Sequence, residues 1–484
     1  MDLNSNVNVV FLTGATGFVG KVLVEKILRS LPQVKKIYLL LRVSGKNTLE
    51  SRVHEEIFGS RLFETLKAQY ATTKEFLDQV VPKVVAVQGD ITLENLGMST
   101  KDTTMVQADT TVLINCAASV SFTHPLREAL NMNCYGTLRA LKLAQGMPHL
   151  DAVVQVSTAY VNAHMKGENV QESIYPYPLG DANQLFDRLG NMTDGEMEAY
   201  ERDVALKTFP NTYVVSKSLT EQLIQGWSRS MNLPLVIVRP PIISASLNEP
   251  VPGWIEGTGT FTGPMVLCAI GAIQEWVGKV NTIMEVVPVD IVCNTILMAA
   301  TQAGRNLLKV PIFQLGTSAY NPVELNLIAL HIEQYWQQAR ISRINRVSND
   351  IRFDLYSPTD FEIRFKKRFA KELRKSQDTN QIKLRKKLDR AYEVPKLNTF
   401  IAVDEWFFDI SNTIALDEMA PMELRSGLTN KFDWLVFMDN YCRGVHEFIL
   451  KDEIDRSQVI RYSQKSQQKV CTSKDDEDFV TSNL

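Results

Sequence analysis

One stretch constrains this chain more than any other: Phe11-Leu12-Thr13-Gly14-Ala15-Thr16-Gly17-Phe18-Val19-Gly20. The apolar, β-branched run Val7 to Leu12 reads as a buried strand, and Lys21 to Leu28 carries apolar residues at helical spacing. Strand, glycine turn and helix in succession are the context a phosphate-cradling loop requires. In that reading Gly14 makes the tight turn, Gly17 lets the backbone approach a pyrophosphate, and Gly20 lets the helix pack on the sheet. The N–H groups at the helix start then face the anion, so Thr13, Thr16, Phe18 and Val19 join the glycines as candidate dinucleotide contacts. The spacing is Gly-x-x-Gly-x-x-Gly, and three glycines alone would also suit a structural turn. The flanking strand and helix give the motif its weight.

A second strand, Lys36 to Arg42, ends about 20 residues beyond the turn, where such a fold meets the adenosine ribose. An NAD site wants an acid there. This chain has Arg42, with Lys46 beyond it and no acid between Leu39 and Asn47. A planar guanidinium suits a 2′-phosphate, so the reading is NADPH over NADH, against a solvated surface arginine. Residues 48 to 82 look helical, interrupted near Phe58-Gly59. The strand Lys83 to Gln88 ends in Gly89-Asp90-Ile91, where Asp90 suits either an adenine amino group or an ordinary turn. The strand Thr111 to Ile114 ends in Asn115-Cys116-Ala117-Ala118, whose small residues leave room for a flat cofactor ring. Alternation continues through Asn131 to Gln145 and Ala152 to Ser157. Such units predict an α/β fold, a Rossmann-type doubly wound parallel sheet.

The chemistry gathers next. Ser157-Thr158-Ala159-Tyr160-Val161-Asn162 places two hydroxyls at a strand end, and active sites of open parallel sheets lie outside strand C-termini. Tyr213 and Lys217 stand four apart on a helical pattern, hence on one face. A nearby ammonium favours the phenolate and is expected to lower the tyrosine's pKa from about 10. With Thr158 holding a carbonyl oxygen, the trio would orient a carbonyl for hydride attack and supply a proton. Tyr-x-x-x-Lys also arises by chance on surface helices; its company with the glycine turn and the Ser-Thr strand end favours catalysis. The buried strand from Leu235 is stopped by Pro240-Pro241, and the loop through Ile242 would sit by the nicotinamide.

Composition narrows the rest. The 484 residues allow two or three domains, and 45% apolar with 22% charged residues describes a soluble globular protein. A net charge of −3 gives no sign of general nucleic-acid binding. Six cysteines without paired spacing fit a reducing, cytoplasmic setting and argue against a disulfide framework or zinc site. The six histidines show no ligand spacing, so no metal is expected. There is no Gly-x-Ser-x-Gly elbow of a hydrolase, no signal-peptide pattern and no apolar run long enough to span a membrane.

Taken together, the glycine turn, Gly89-Asp90, Ser157 to Asn162 and the Tyr213/Lys217 pair resemble the extended short-chain dehydrogenase/reductases. Arg239-Pro240-Pro241-Ile242-Ile243, Glu249-Pro250-Val251-Pro252-Gly253-Trp254-Ile255 and Val287-Pro288-Val289-Asp290 narrow the resemblance to the fatty acyl-CoA reductases. Glu405-Trp406-Phe407-Phe408-Asp409 and Asn412-Thr413 are similar to that family's small helical C-terminal domain. The resemblance covers roughly residues 7 to 450. It implies reduction of a long-chain acyl-CoA to a primary alcohol with two NADPH, through a hemithioacetal and an aldehyde. Tyr213 is then the proton donor, Lys217 its electrostatic partner, Thr158 the carbonyl holder and Ser157 the alternative to it. Two departures stand out. The hydrophobic C-terminal segments of many animal members have no counterpart here, and residues 340 to 365 match poorly.

These readings predict an NADPH-binding reductase domain over 1–340, a linker or insertion over 341–365, a mainly helical domain over 366–456 and a disordered tail over 457–484. Met265, Val266, Leu267, Ile270 and Ile273 suit either ordinary core or an acyl tunnel. Residues 364–390 carry twelve Lys/Arg and three Asp/Glu, a balance of 12 − 3 = +9. A solvated helical face is the default; a contact with CoA phosphates, an acyl-carrier protein or a membrane surface is the sharper option. Phe361, Phe365 and Phe369 make the same stretch amphipathic, suited to docking on the reductase domain or a membrane. Rival readings are a same-fold enzyme acting on a ketone, sterol or nucleotide-sugar, a thioester reductase that stops at the aldehyde, and a non-catalytic scaffold. A scaffold needs neither Tyr213 nor Lys217.

Overall fold

The computed structural model describes residues 7–454 except 44, 46, 260, 306–308, 343, 345 and 376–380. Lys46 and the expected tail 457–484 therefore lie outside the described residues.

The apolar runs become seven strands: β1 (Val9–Thr13), β2 (Lys36–Leu41), β3 (Val84–Gln88), β4 (Val112–Asn115), β5 (Ala152–Val156), β6 (Leu235–Arg239) and β7 (Ile312–Gln314). They form one sheet in the order β7-β6-β5-β4-β1-β2-β3, and every neighbouring pair is parallel. Every residue of β1, β4, β5 and β6 is buried, as in a parallel sheet covered on both faces. The order reverses between β1 and β4, the crevice where ligands bind in such sheets. Register sets Thr13 beside both Leu40 and Asn115, so the C-terminal ends of β1, β2 and β4 meet there.

The principal helices of this part are α1 (Phe18–Ser30), α2 (Thr100–Asp109), α3 (Gly136–Gln145), α4 (Thr212–Ser230) and α5 (Val289–Ala299). Val9, Phe11, Tyr38, Leu113, Val153 and Ile237 pack in one core with Leu141 of α3 and Ile224 of α4. They are alternate strand positions, which is the period of a pleated sheet. α5 lies along β5 and β6 and against α1. Arg239 ties α4 to the sheet: its guanidinium, 1% exposed, donates to the Glu221 carboxylate of α4 at 3.0 Å and to Gln314 Oε1 of β7 at 3.2 Å.

By compactness the chain forms two units, and it crosses between them five times. One holds the described parts of 1–262, 283–323 and 404–432; the other holds those of 263–282, 324–403 and 433–484. The expected division into successive blocks is thus redrawn at two places. The stretch Glu405 to Thr413, expected in the helical domain, belongs with the sheet. Phe407 and Phe408 pair in parallel with Asn169 and Val170, and Thr413 Oγ1 donates to Gln314 O at 2.7 Å. This stretch runs beside the edge strand β7, a place where unpaired backbone groups need cover. Conversely, Met265, Leu267, Ile270 and Ile273 are buried in the second unit, from the helix Thr262–Ala269 onward.

The second unit is mainly helical, with α6 (Leu325–Gln338), α7 (Pro358–Lys375), α8 (Gln381–Leu397) and α9 (Trp434–Gly444). The aromatic stripe of α7 is occupied inside this unit. Phe361 and Phe365 are buried, with ring centroids 5.9 and 5.3 Å from Tyr392 of α8. Arg368 of α7 is likewise drawn inward onto Glu275 at 2.8 Å. Nine of the other basic residues face outward: Arg364, Lys366, Lys367, Lys371, Arg374, Lys383, Arg385, Lys386 and Arg390 are exposed, while Lys387 is half-buried. No described helix is long and apolar enough to cross a membrane.

Candidate active site

The turn between β1 and α1 is built so tightly that side chains would break it. Gly14 has φ +74°, and a Cβ there would lie 2.8 Å from Ala117 N. A Cβ on Gly20 would lie 2.2 Å from Gly14 O, so Gly20 serves the approach of the helix to the turn itself rather than, as expected, to the sheet. Gly17 caps α1 in an extended conformation, no side chain caps the helix, and its first turn carries no acid. An anion is therefore the natural partner of these N–H groups. The phosphates of a dinucleotide fit this cradle.

Beneath the turn, buried polar groups are spent on one another. Thr13 Oγ1 donates to Asn115 Oδ1 at 2.7 Å and accepts from Cys116 N and Ala117 N at 3.1 and 3.0 Å. Asn115 Nδ2 donates to Gln155 Oε1 at 2.8 Å, and Gln155 Nε2 donates to Val156 O at 3.0 Å. Thr13 and Asn115 thus hold together the strand ends that form the floor of the crevice. Ala117 and Ala118 lie partly open beyond them.

At the adenosine end, the Arg42 side chain is 66% exposed and its Nη1 stands 3.9 Å from Asp90 Oδ2. Asp90 Oδ1 accepts from Thr92 N and Thr92 Oγ1 at 2.8 and 2.7 Å, so the turn arrangement is realised with the second oxygen left facing Arg42. Ile91 is buried beside Gly136. Arg52 was invisible to motif reasoning. Its Nη1 donates to Arg42 O at 2.7 Å and its Nη2 to Thr16 Oγ1 at 3.4 Å, bridging the glycine turn and the end of β2. Nothing in its spacing marks it; only the fold of 48–58 brings it there.

Thr158, just beyond β5, places its hydroxyl next to the phenol of Tyr213 near the start of α4 and accepts from Tyr160 N at 3.3 Å. Lys217, one turn further, donates from Nζ to Val156 O at 2.8 Å. Ser157 Oγ is buried with no hydrogen-bond partner among the described residues. The structure therefore brings Ser157, Thr158, Tyr213 and Lys217 together where β5 meets α4. Pro240 joins them through its carbonyl, which accepts from Ala159 N at 3.0 Å. Ile242 pairs with Val286 in a separate two-stranded ribbon.

The electrostatics differ from expectation. Burial pushes the Tyr213 phenol up to about 12, and only the Thr158 hydrogen bond works against it. Burial also depresses Lys217 to about 8. The ammonium was expected to make the phenol more acidic. Desolvation governs the phenol instead, and the lysine is itself destabilised as a cation. The phenol is consequently held protonated at neutral pH.

Beyond Ala118, the loop after β4 holds residues that sequence reasoning missed, and it is pinned beside the phenol. The Phe122 ring centroid lies 6.0 Å from that of Tyr213, and Thr212 Oγ1 donates to His124 O at 2.7 Å. Buried Asn133 ties this loop to α4, donating from Nδ2 to Ser119 O at 3.0 Å and to Ser216 Oγ at 2.9 Å. Phe18 of α1 stacks on Trp254 with centroids 5.5 Å apart, and Lys21 and Lys26 pair with Glu256 and Glu249. Asp290 of α5 accepts from the backbone N–H groups of Leu247, Asn248 and Glu249 at 2.8 to 3.1 Å. The Pro-Gly-Trp-Ile stretch is thereby fastened against the glycine-turn helix.

Comparison with known proteins follows this geometry. Residues 12–296 match the NAD-binding family model described as male sterility protein. The chain is 30% identical over 458 residues to mouse fatty acyl-CoA reductase 1, covering 92% of this chain and 85% of the relative. Among solved structures, the terminal R domain of the myxalamid PKS-NRPS pathway aligns over 93% of both chains with TM-score 0.63 at 17% identity. The R domain of a nonribosomal peptide synthetase from Mycobacterium tuberculosis aligns over 92% of both with TM-score 0.58 at 17% identity. At such identities the structural likeness speaks for the fold.

Proposed function

The chain belongs to the fatty acyl-CoA reductase family, a family of oxidoreductases, and from that premise we propose that it reduces a long-chain fatty acyl-CoA to the primary alcohol with NADPH. The observation that carries the reading is the placement of the Tyr213 phenol next to the Thr158 hydroxyl, with Lys217 one helical turn away, at the strand end beside the glycine cradle.

In this mechanism the backbone N–H groups of the Gly14–Gly20 turn would hold the pyrophosphate, and the exposed Arg42 guanidinium would receive the 2′-phosphate. Bound there, the cofactor supplies hydride. Thr158 and Tyr213 hold the thioester carbonyl oxygen. Tyr213, protonated because burial raises its pKa to about 12, gives its proton to that oxygen as hydride reaches the carbon. Lys217, still largely protonated at neutral pH, favours the transient phenolate and helps restore its proton. The product of this step is a hemithioacetal. Its carbon–sulfur bond breaks, the hydroxyl proton is transferred in net to sulfur, and thiol and aldehyde result. Once the oxidised cofactor is exchanged for a second NADPH, which would supply the second hydride, Tyr213 with its proton restored gives a second proton and the aldehyde becomes the alcohol. The exposed basic face of 364–390 is an electropositive surface suited to anionic partners.

The test uses purified protein, NADPH and palmitoyl-CoA, with thiol release and product analysis. Two NADPH oxidised per thiol support the alcohol. One per thiol supports a reductase that stops at the aldehyde. No oxidation removes the acyl-CoA reading and favours a ketone, sterol or nucleotide-sugar substrate.

A further inference from the structure

A solvated helix face ordinarily mixes both signs of charge, and the outer face of α7 does not. The inward side of this helix is set by Phe361, Phe365 and Arg368, which meet Tyr392 and Glu275. Away from them lie Ile363, Lys367, Ala370, Lys371 and Arg374, three and four apart along one stripe, and all five are exposed. Lys367 and Lys371 stand one turn apart with like charge, an arrangement that weakens a helix on its own. Lys366 has Glu362 as a partner, but Lys367, Lys371 and Arg374 meet no acid among the described residues. α8 packs on α7 through the Tyr392 ring, and Tyr392 Oη donates to Glu362 Oε1 at 2.6 Å. It adds exposed Lys383, Arg385, Lys386 and Arg390. From 363 to 390, nine cations are exposed against one exposed acid, Asp389, among the described residues. Two isoleucines stand bare on the same helices, Ile363 at 62% and Ile382 at 72% exposure. The whole chain carries −3, so the residues outside 364–390 carry −3 − 9 = −12. Positive charge is gathered in one place on a chain that is otherwise acidic.

We propose that the outer face of α7 and α8 is a docking surface for an anionic lipid bilayer. Charge complementarity names the partner: clustered Lys and Arg are drawn to acidic headgroups. Breadth supports it. Ile363 to Arg374 alone reaches about 16 Å at about 1.5 Å per residue, far wider than one phosphate group, and the face continues on α8. The isoleucines complete the argument. At a membrane interface cations meet headgroups while apolar side chains enter the acyl boundary. A dissolved phosphate would meet the cations and leave both isoleucines in water. The proposal stands on this face and does not need the acyl-CoA reading. Where that reading holds, the bilayer is the phase into which a long-chain alcohol partitions.

The test is co-sedimentation of the full chain with vesicles of phosphatidylcholine alone and of phosphatidylcholine mixed with phosphatidylserine. Wild type should bind the mixed vesicles, leave the neutral ones in solution, and be released as salt rises from about 0.1 to about 0.5 M. The triple variant Lys367→Gln, Lys371→Gln, Arg374→Gln should bind the mixed vesicles about a hundredfold more weakly, at about fivefold per cation. The double variant Ile363→Ser, Ile382→Ser should lose about fivefold or more at unchanged charge. All five positions are exposed, and the KM for palmitoyl-CoA without vesicles should stay within twofold in both variants. Wild type that binds neither vesicle, or both alike, overturns the proposal, as does either variant binding like wild type. A raised KM for palmitoyl-CoA in the triple variant without vesicles overturns it in favour of a contact with CoA phosphates. Retention on an acidic acyl-carrier protein with no vesicle binding overturns it in favour of that protein. Binding to mixed vesicles by a wild type that does not turn over palmitoyl-CoA upholds the docking and removes the acyl-CoA reading.

Discussion

Lys217 and Val156 are joined by a 2.8 Å hydrogen bond from the lysine ammonium to the backbone carbonyl at the last residue of β5. This bond fixes the register of α4 against the strand whose next two residues are Ser157 and Thr158, and so sets Tyr213 opposite Thr158. One turn beyond Lys217, Glu221 makes a second tie to the sheet through Arg239.

The first prediction concerns pH. Burial lowers Lys217 to about 8 and raises Tyr213 to about 12, so the phenol stays protonated across the working range while the lysine loses its charge near pH 8. Below that value the cation is present; above it the proton relay and the charge facing the phenolate are gone. The kcat/KM for acyl-CoA should therefore fall as pH rises through about 8, since that parameter reports the free enzyme. A profile flat to pH 10 would contradict the assignment.

The second prediction concerns Arg239. Removing its guanidinium leaves the Glu221 carboxylate, 2% exposed, without its ion-pair partner. Arg239→Leu should cost about 3–5 kcal/mol in urea unfolding, and the double variant with Glu221→Leu should recover much of it.

Gly20→Ala should abolish tight cofactor binding. The new methyl would lie 2.2 Å from Gly14 O, so the turn has to move. The expected loss is tenfold or more in NADPH affinity by fluorescence titration, on the scale of about 1–3 kcal/mol for a forced backbone shift.

Arg42→Ala should weaken NADPH about tenfold and NADH less than twofold, the scale of a charge-assisted hydrogen bond to phosphate. Equal weakening of both cofactors would remove the 2′-phosphate from this account.

Much of the sheet is legible in the sequence because β1, β2 and β4 to β6 are fully or nearly fully buried, and such strands read as continuous apolar runs. β7 is not, since three residues carry no period. The Tyr213 and Lys217 spacing put both residues on one face, but spacing says nothing about desolvation, and the direction of the phenol's shift reversed expectation. Arg52 and Asn133 reach the crevice through the packing of helices whose local sequence carries no motif. The Phe361/Phe365/Phe369 stripe was legible as an apolar face, but its partner Tyr392 lies on another helix, and only tertiary structure names it. The block Glu405 to Thr413 was placed by its neighbours in sequence, whereas hydrogen bonds to Gln314 and pairing with Val170 assign it to the unit that holds the sheet.

The central claim is that Tyr213 protonates the carbonyl oxygen of an acyl thioester as hydride arrives. Its most direct test is the rate of NADPH oxidation with palmitoyl-CoA by wild type and Tyr213→Phe, with NADPH affinity measured alongside. The account predicts that kcat falls by about a hundredfold or more while NADPH affinity stays within twofold. A Tyr213→Phe enzyme that turns over at the wild-type rate would contradict it.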